Sequence, residues 1–253
     1  MCLIALHWNP KLERKLTLLS NRDEFYARPS QTAQWWEDQP HIFGGRDLEQ
    51  GGSWLAISAS GRMAAVTNYR EVPAPEGSIS RGALVSGFLN SELNAQAFCQ
   101  LLAQQAAHYA GFNAFFYDGV QLIYASNRYR NFSLRVPPGT HVLSNHLLNT
   151  PWPKVEALRL RFKTLISSQK EEEIAQQQAF EMMEDRELAP DEQLPETGVA
   201  PEIEKMLSAA FISSPNYGTR TTSLLELNSQ GFRLTERNHV PEVTTQEHRI
   251  NFS

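Results

Sequence analysis

Apolar residues along the chain come in short alternating or continuous stretches bounded by turn residues, the pattern of antiparallel strands. Cys2-Leu3-Ile4-Ala5-Leu6-His7-Trp8 and Leu16-Thr17-Leu18-Leu19-Ser20 are the first two. Asn9-Pro10 between them signals a turn, so the pair predicts a hairpin that brings Asn21-Arg22-Asp23-Glu24 back beside Cys2. Ala27-Arg28-Pro29-Ser30 reads as a turn, and the Trp35-Trp36 pair as core. Gly51 to Ser58 alternates as a strand, turns at Ala59-Ser60-Gly61 and returns as Arg62 to Tyr69, which delivers Asn68 to a strand end. Pro73 and Pro75 mark a surface loop. Arg81 to Phe88 and Ala95 to His108 then carry apolar residues at the three-and-four spacing of packed amphipathic helices, with Gly111 ending them.

A second strand-rich block follows. Asn113 to Tyr117 and Val120 to Tyr124 flank Asp118-Gly119, a strong hairpin turn, and Leu134 to Val136 and His141 to Asn145 add short strands. Thr150-Pro151-Trp152-Pro153 fits a helix start with threonine as cap, and Val155, Leu158, Phe162 and Leu165 make one face of the helix from Lys154 to about Ser167. Residues 170–198 are acidic and predict a solvated helix followed by a loop through Pro190 and Pro195. Tyr217 to Leu227, the turn Asn228 to Gly231, and Phe232 to Glu236 form a third hairpin, and the tail returns at Arg249 to Phe252. Blocks of hairpins and helices in this order suit a single α+β domain over residues 1–253 with antiparallel sheets, and not alternating βαβ units.

Composition narrows the function. A net charge of −5 argues against a nucleic-acid surface, which is basic as a rule. No apolar stretch has the length of a membrane span and the N-terminus lacks a secretory leader's pattern, so the expectation is a cytoplasmic protein without stable membrane insertion. Of the 2 cysteines, Cys99 sits in a helical run and reads as core, so no disulfide is expected. The histidines show no metal-ligand spacing, so no metal site is expected.

Cys2 remains as candidate chemistry. Initiator methionine is trimmed when the next side chain is as small as cysteine, which would free an α-amine on the residue bearing the thiol. With ordinary pKa values of about 7.7–8.0 for the amine and about 8.5 for the thiol, the amine can take the thiol proton near neutral pH. Cysteine is also a common buried residue, and this reading competes with plain core packing. The asparagines at strand ends, Asn68 and Asn145, are equally readable as turn-closing amides, and Arg220 as an ion-pair partner.

Met1-Cys2, Asn21-Arg22-Asp23-Glu24-Phe25-Tyr26 with Arg28-Pro29, Gly51-Gly52-Ser53-Trp54-Leu55, Thr67-Asn68-Tyr69, Leu143-Ser144-Asn145 before Thr150-Pro151-Trp152, and Tyr217-Gly218-Thr219-Arg220-Thr221 occur in one order from end to end. Together they resemble the NRDE-motif family, also called the transport and Golgi organisation protein 2 family. The resemblance implies a four-layer αββα sandwich of the N-terminal nucleophile hydrolase type. Carried over from the penicillin V acylase and bile-salt hydrolase branch of that fold, Cys2 is nucleophile and its amine the base. Asp23 holds the ammonium, Arg22 holds the thiolate or an acyl group, Asn68 and Asn145 supply oxyanion donors, and Arg220 is the late arginine. Here Arg22 and Asp23 are adjacent, whereas that branch separates the pair by two residues. Neighbours on a regular strand face opposite ways, so both serve Cys2 only if the strand ends or bulges there. Asn21 with Asp23, or Arg22 with Glu24, is the natural same-face pair.

Two functions follow from the resemblance. The one the family favours is binding haem as a transported ligand and handing it between donor and acceptor proteins, with Asn21, Glu24, Tyr69, His7 and His146 as ligand-binding candidates. His141 is a further candidate, since it too sits near a strand end. The alternative is a cysteine amidohydrolase or thioesterase acting on a small non-peptide amide or acyl thioester, with no cofactor required for catalysis.

Overall fold

Two antiparallel sheets lie face to face in the computed structural model, which describes residues 2–75, 77–169 and 173–252. In chain order the strands are β1 (Cys2–Trp8), β2 (Leu16–Phe25), β3 (Ser30–Trp35), β4 (Ile42–Asp47), β5 (Leu55–Ser58) and β6 (Met63–Asn68), followed by helices α1 (Ala83–Leu89) and α2 (Ala95–Gln105). Next come β7 (Phe112–Tyr117), β8 (Leu122–Ser126), β9 (Ser133–Arg135) and β10 (Gly139–Leu143), then α3 (Pro153–Ser168), α4 (Gln176–Met183) and α5 (Pro201–Met206). The chain closes with β11 (Tyr217–Leu227), β12 (Gly231–Asn238) and β13 (Thr244–Asn251). One sheet has the order β10-β1-β2-β11-β12-β13 and the other runs from β3 to β9 in sequence order.

Alternation along β1 shows how the layers form. Ile4, Leu6 and Trp8 enter the core between the sheets, with Leu18 of β2 and Phe115 and Tyr124 of the facing sheet. Leu3 and Ala5 face the other way, onto Leu158 and Phe162 of α3 and Phe180 of α4. The facing sheet repeats the arrangement: Phe112, Ala114 and Phe116 of β7 pack on Leu84, Val85 and Phe88 of α1 and on Cys99 of α2. Strands buried on both faces read as continuous apolar runs, which is why β7 is Phe-Asn-Ala-Phe-Phe-Tyr with all positions buried. The result is helix, sheet, sheet, helix: the αββα sandwich expected from the sequence.

Several elements depart from the sequence reading. The turn before Ser30 is present and Trp36 is core as read, but β3 and β4 are strands the reading did not mark, because β3 is a polar sheet edge with only Ala33 buried and β4 carries Gly44-Gly45. α3 begins at Pro153 behind Trp152, and the hydroxyl of Thr150 does not cap it. That hydroxyl instead donates to the Leu147 carbonyl at 2.8 Å, in the turn before the helix. In the acidic stretch the helix is α4, with a single 3-10 turn at Asp191–Gln193 after it, and α4 is not solvated as read, because Ala179, Phe180 and Met183 are buried against β1; residues 170–172 of that reading lie outside the described residues. The tail is a strand from Thr244, an exposed polar edge without the apolar alternation that would reveal it. No helix among the described residues is long and apolar enough to cross a membrane.

Candidate active-site cleft

The β1–β2 register sets Cys2 directly across from Arg22. Directly opposed residues of an antiparallel pair share a face, and β1 alternation places Cys2 on the same side as Ile4 and Leu6, toward the other sheet. Asp23 follows on the helix-facing side, where its Oδ1 accepts from the Thr219 hydroxyl at 2.7 Å. The neighbouring strand breaks its register here: Thr219 pairs with Asp23 and Thr221 with Arg22, leaving Arg220 as the extra residue of a bulge. The irregularity at this point of the sheet therefore lies in β11, and β2 itself pairs regularly with β1 up to Arg22.

Where β1, β2 and β6 end, the sandwich opens into a cleft of about 580 Å³. Cys2, Arg22, Asp23, Glu24, Asn68 and Arg81 line it. Glycines set its far wall. A Cβ on Gly45 would collide with the Trp54 indole, and one on Gly52 with the Gly82 backbone, so both are close-approach positions. Trp54 settles against β4, and its ring carries the Arg22 guanidinium 4.2 Å from the centroid. Gly82 settles against Gly52, with the Ser53 amide donating to the Gly82 carbonyl at 3.3 Å, and this brings Arg81 to the cleft.

Not every predicted residue arrives there. Asn68 does, and its side-chain amide has no hydrogen-bond partner among the described residues. Asn145 does not line the cleft: its Nδ2 donates to the Asn68 carbonyl at 3.0 Å and its own carbonyl accepts from the Arg70 amide at 2.6 Å, bracing one sheet against the other. Arg220 bonds the carbonyls of Phe25 and Arg28, and so holds the turn after β2. Asn21 is wholly buried on the helix side, donating to Met183 and Ala210 carbonyls and accepting from Thr222, which leaves it no ligand role. His7 bonds the Thr140 hydroxyl at 2.9 Å near the opposite end of β1. Tyr69 and His146 stack on each other, ring centroids 4.9 Å apart, and His146 also bonds Thr150 at 2.8 Å. None of these three lines the cleft. Arg81, Trp54 and Lys154 were missed: Arg81 read as helix, Trp54 as strand core and Lys154 as the first residue of a helix. The paired glycines at 52 and 82 are the one signal that could have drawn attention to Arg81.

Burial raises the thiol pKa of Cys2, Asp23 adds to that rise, and Arg22 opposes it. Burial also raises the Asp23 carboxyl, against the pull of Lys154 and the Thr219 hydrogen bond. Lys154 is enclosed behind them, its Nζ donating to the Leu207 and Ala209 carbonyls at 2.7 and 3.3 Å, and burial lowers it to about 8. Between pH 8 and the free-lysine value of about 10.4 the unfolded chain binds more protons than the folded one, so stability rises with pH across that window. Below pH 8 the penalty for the buried ammonium is complete and flat. Lys154→Met removes about 3 kcal/mol of this rise. Urea unfolding of both proteins from pH 7.5 to 10.5 measures it, and parallel pH profiles would contradict it. No group of three or more His, Cys, Asp or Glu side chains among the described residues could hold a metal ion.

Two antiparallel sheets between helix layers, with a cysteine at position 2 opening onto the cleft, define an N-terminal nucleophile hydrolase-type fold. The structure is similar to the crystal structure of the C2A mutant of conjugated bile acid hydrolase from Clostridium perfringens, with a TM-score of 0.55 at 6% identity over 100% of this chain and 97% of that one. The chain belongs to the transport and Golgi organisation 2 family, whose profile matches residues 1–240. It is 31% identical over 275 residues to the Transport and Golgi organization protein 2 homolog of Bos taurus, covering 99% of each chain. The homolog of Homo sapiens is 31% identical over 91% of this chain and 90% of its own. The Drosophila melanogaster protein is 28% identical over 85% and 83%.

Proposed function

We propose that the protein is an N-terminal cysteine hydrolase of small non-peptide amides or acyl thioesters. The observation that carries the reading is the direct pairing of Cys2 with Arg22 at the mouth of a cleft that also holds an unengaged asparagine amide, that of Asn68. Once Met1 is removed, the α-amine of Cys2 takes the thiol proton and the thiolate adds to the substrate carbonyl. The carbonyl π pair moves onto oxygen, where the Asn68 amide donates to it. Collapse of the tetrahedral adduct breaks the C–N or C–S bond, and the ammonium returns its proton to the leaving group. Water, deprotonated by the same amine, then hydrolyses the acyl-cysteine thioester and frees the thiol. Arg22 stabilises the thiolate from across the strand pair. Asp23, on the helix-facing side, is the carboxylate that would hold the ammonium. The Clostridium perfringens protein is described as a C2A mutant, so its cysteine too stands at position 2.

The test is mass spectrometry of the purified chain with a panel of acyl p-nitroanilides and acyl thioesters. The expected result is a chain beginning at Cys2, with an acyl adduct on that residue and product release that Cys2→Ala abolishes. Retention of Met1, or equal turnover by Cys2→Ala, would overturn it.

Haem handling, the function the family resemblance favours, would use the same cleft, and two guanidiniums without carboxylate partners among the described residues suit a porphyrin's propionates. With His7 and His146 engaged elsewhere, Cys2 is left as the thiol or imidazole of the cleft lining that could meet the iron. In that reading the protein takes haem from one protein and passes it to another. A saturable Soret shift on titrating haemin, absent in Cys2→Ala, would favour it over hydrolysis.

A further inference from the structure

The charges lining the cleft do not all find each other. Arg28 is fully engaged, with Asp47 at 2.7 Å, Glu49 at 3.4 Å and Glu24 at 3.9 Å. Glu24 also accepts from the Phe25 amide at 2.8 Å, and Asp23 is held by Thr219. The carboxylates are therefore spoken for. Two cations are not: neither Arg22 nor Arg81 forms an ion pair among the described residues. Arg22 is 5% exposed, and its Nη1 is buried without a hydrogen-bond partner. Among the described residues the Arg81 side chain makes one hydrogen bond, from Nη1 to the Gly111 carbonyl at 3.3 Å. A buried guanidinium such as that of Arg22 is costly without an anion, and a half-buried one such as that of Arg81 adds to the same unbalanced charge, so the two mark a place where an anion is supplied from outside.

The Cys2 thiolate can satisfy one of them, and the strand register gives it Arg22. Arg81 comes from another part of the chain, the turn ahead of α1, and is left over. We propose that Arg81, beside the Arg22–Cys2 pair, forms a subsite for the anionic group of the substrate, a carboxylate or a phosphate a few bonds from the carbonyl that Cys2 attacks. Arginine suits both groups because its planar fork bonds two oxygens at once. The subsite names the substrate class of the hydrolase proposed above and rests on that reading for the identity of the reacting carbonyl. Binding of the anion by itself does not require turnover.

Calorimetry with the wild-type chain, Arg81→Gln and Arg81→Lys tests it, using glutarate, methyl phosphate and uncharged pentanamide as probes. Arg81→Gln is expected to weaken the better-bound anion at least 10-fold and to leave pentanamide unchanged, with Arg81→Lys in between. Preference for glutarate assigns the carboxylate class, and preference for methyl phosphate the phosphate class. Equal affinity of all three proteins for both anions would overturn the subsite, as would wild-type affinity no better for anions than for pentanamide. Should Arg81→Gln fail to fold, the comparison between wild type and Arg81→Lys carries the same decision. The matched substrates glutaryl and pentanoyl p-nitroanilide separate this inference from the proposed reaction. Turnover of both at one rate, unaffected at Arg81, removes the subsite and keeps the hydrolase. Arg81-dependent anion binding without turnover of either substrate keeps the subsite and removes the hydrolase.

Discussion

Glu204→Ala is expected to destabilise the protein by about 3–5 kcal/mol, the magnitude seen when one partner is taken from a buried ion pair. Glu204 lies on α5, and its Oε2 is 2.5 Å from Arg70 Nη1, with both side chains 5% exposed. Its other oxygen accepts from the Thr197 amide at 3.0 Å and from the Thr197 hydroxyl. Arg70 has no spare contact to absorb the loss. Its Nε and Nη2 are already buried without hydrogen-bond partners among the described residues, and the Trp152 ring lies 5.0 Å from the guanidinium carbon. Removing the carboxylate strands a cation beside β6 while freeing the loop that holds Thr197. At about 2–4 °C per kcal/mol for a chain of this size, the midpoint falls by roughly 6–20 °C. The pair is not required for its charge as such. Replacing both residues, Arg70→Met with Glu204→Leu, is expected to recover much of the loss, since an apolar pair of similar volume avoids desolvation altogether. Thermal and urea unfolding of the two single variants and the double variant decide it. A single-variant loss below about 1 kcal/mol would mean that water reaches the pair.

This network also shows what the sequence could and could not disclose. Alternation in β1 and the Asn9-Pro10 turn made the first hairpin readable, and with it the return of Arg22 beside Cys2. Strand alternation likewise separated Arg22 from Asp23 correctly. The bulge in β11 that sits beside them was not readable, because it lies some two hundred residues away in the sequence. Histidines near strand ends were poor guides, since nothing local tells which end of the sandwich a strand end occupies. His7 ends up at the end of β1 away from the cleft, closed off by Thr140. The two asparagines looked alike, and only the packing of the sheets distinguishes the free amide of Asn68 from the brace formed by Asn145. The Arg70–Glu204 and Lys154 contacts join distant segments without any periodicity, and single-chain patterns carry no trace of them.

That division of labour between the asparagines leads to the second large effect. On the hydrolase reading proposed above, Asn68→Ala is expected to lower kcat by about 10²–10³-fold, equivalent to ~2.7–4 kcal/mol in the transition state, with little change in KM. Stability should scarcely change, because the amide that is removed bonds nothing among the described residues. Asn145→Ala acts differently. It takes from the half-buried Asn68 carbonyl the amide donor that reaches it from the other sheet, leaving the longer Thr67 hydroxyl contact at 3.4 Å, so about 1 kcal/mol of stability should be lost together with a smaller fall in kcat. Steady-state kinetics on a turned-over p-nitroanilide or thioester, paired with unfolding of each variant, separates the two. A rise in KM at constant kcat for Asn68→Ala would make its amide a ground-state contact. Oxyanion stabilisation would then have to come from another donor in the cleft, and Arg81 or a backbone amide beside Cys2 would be the group to alter next.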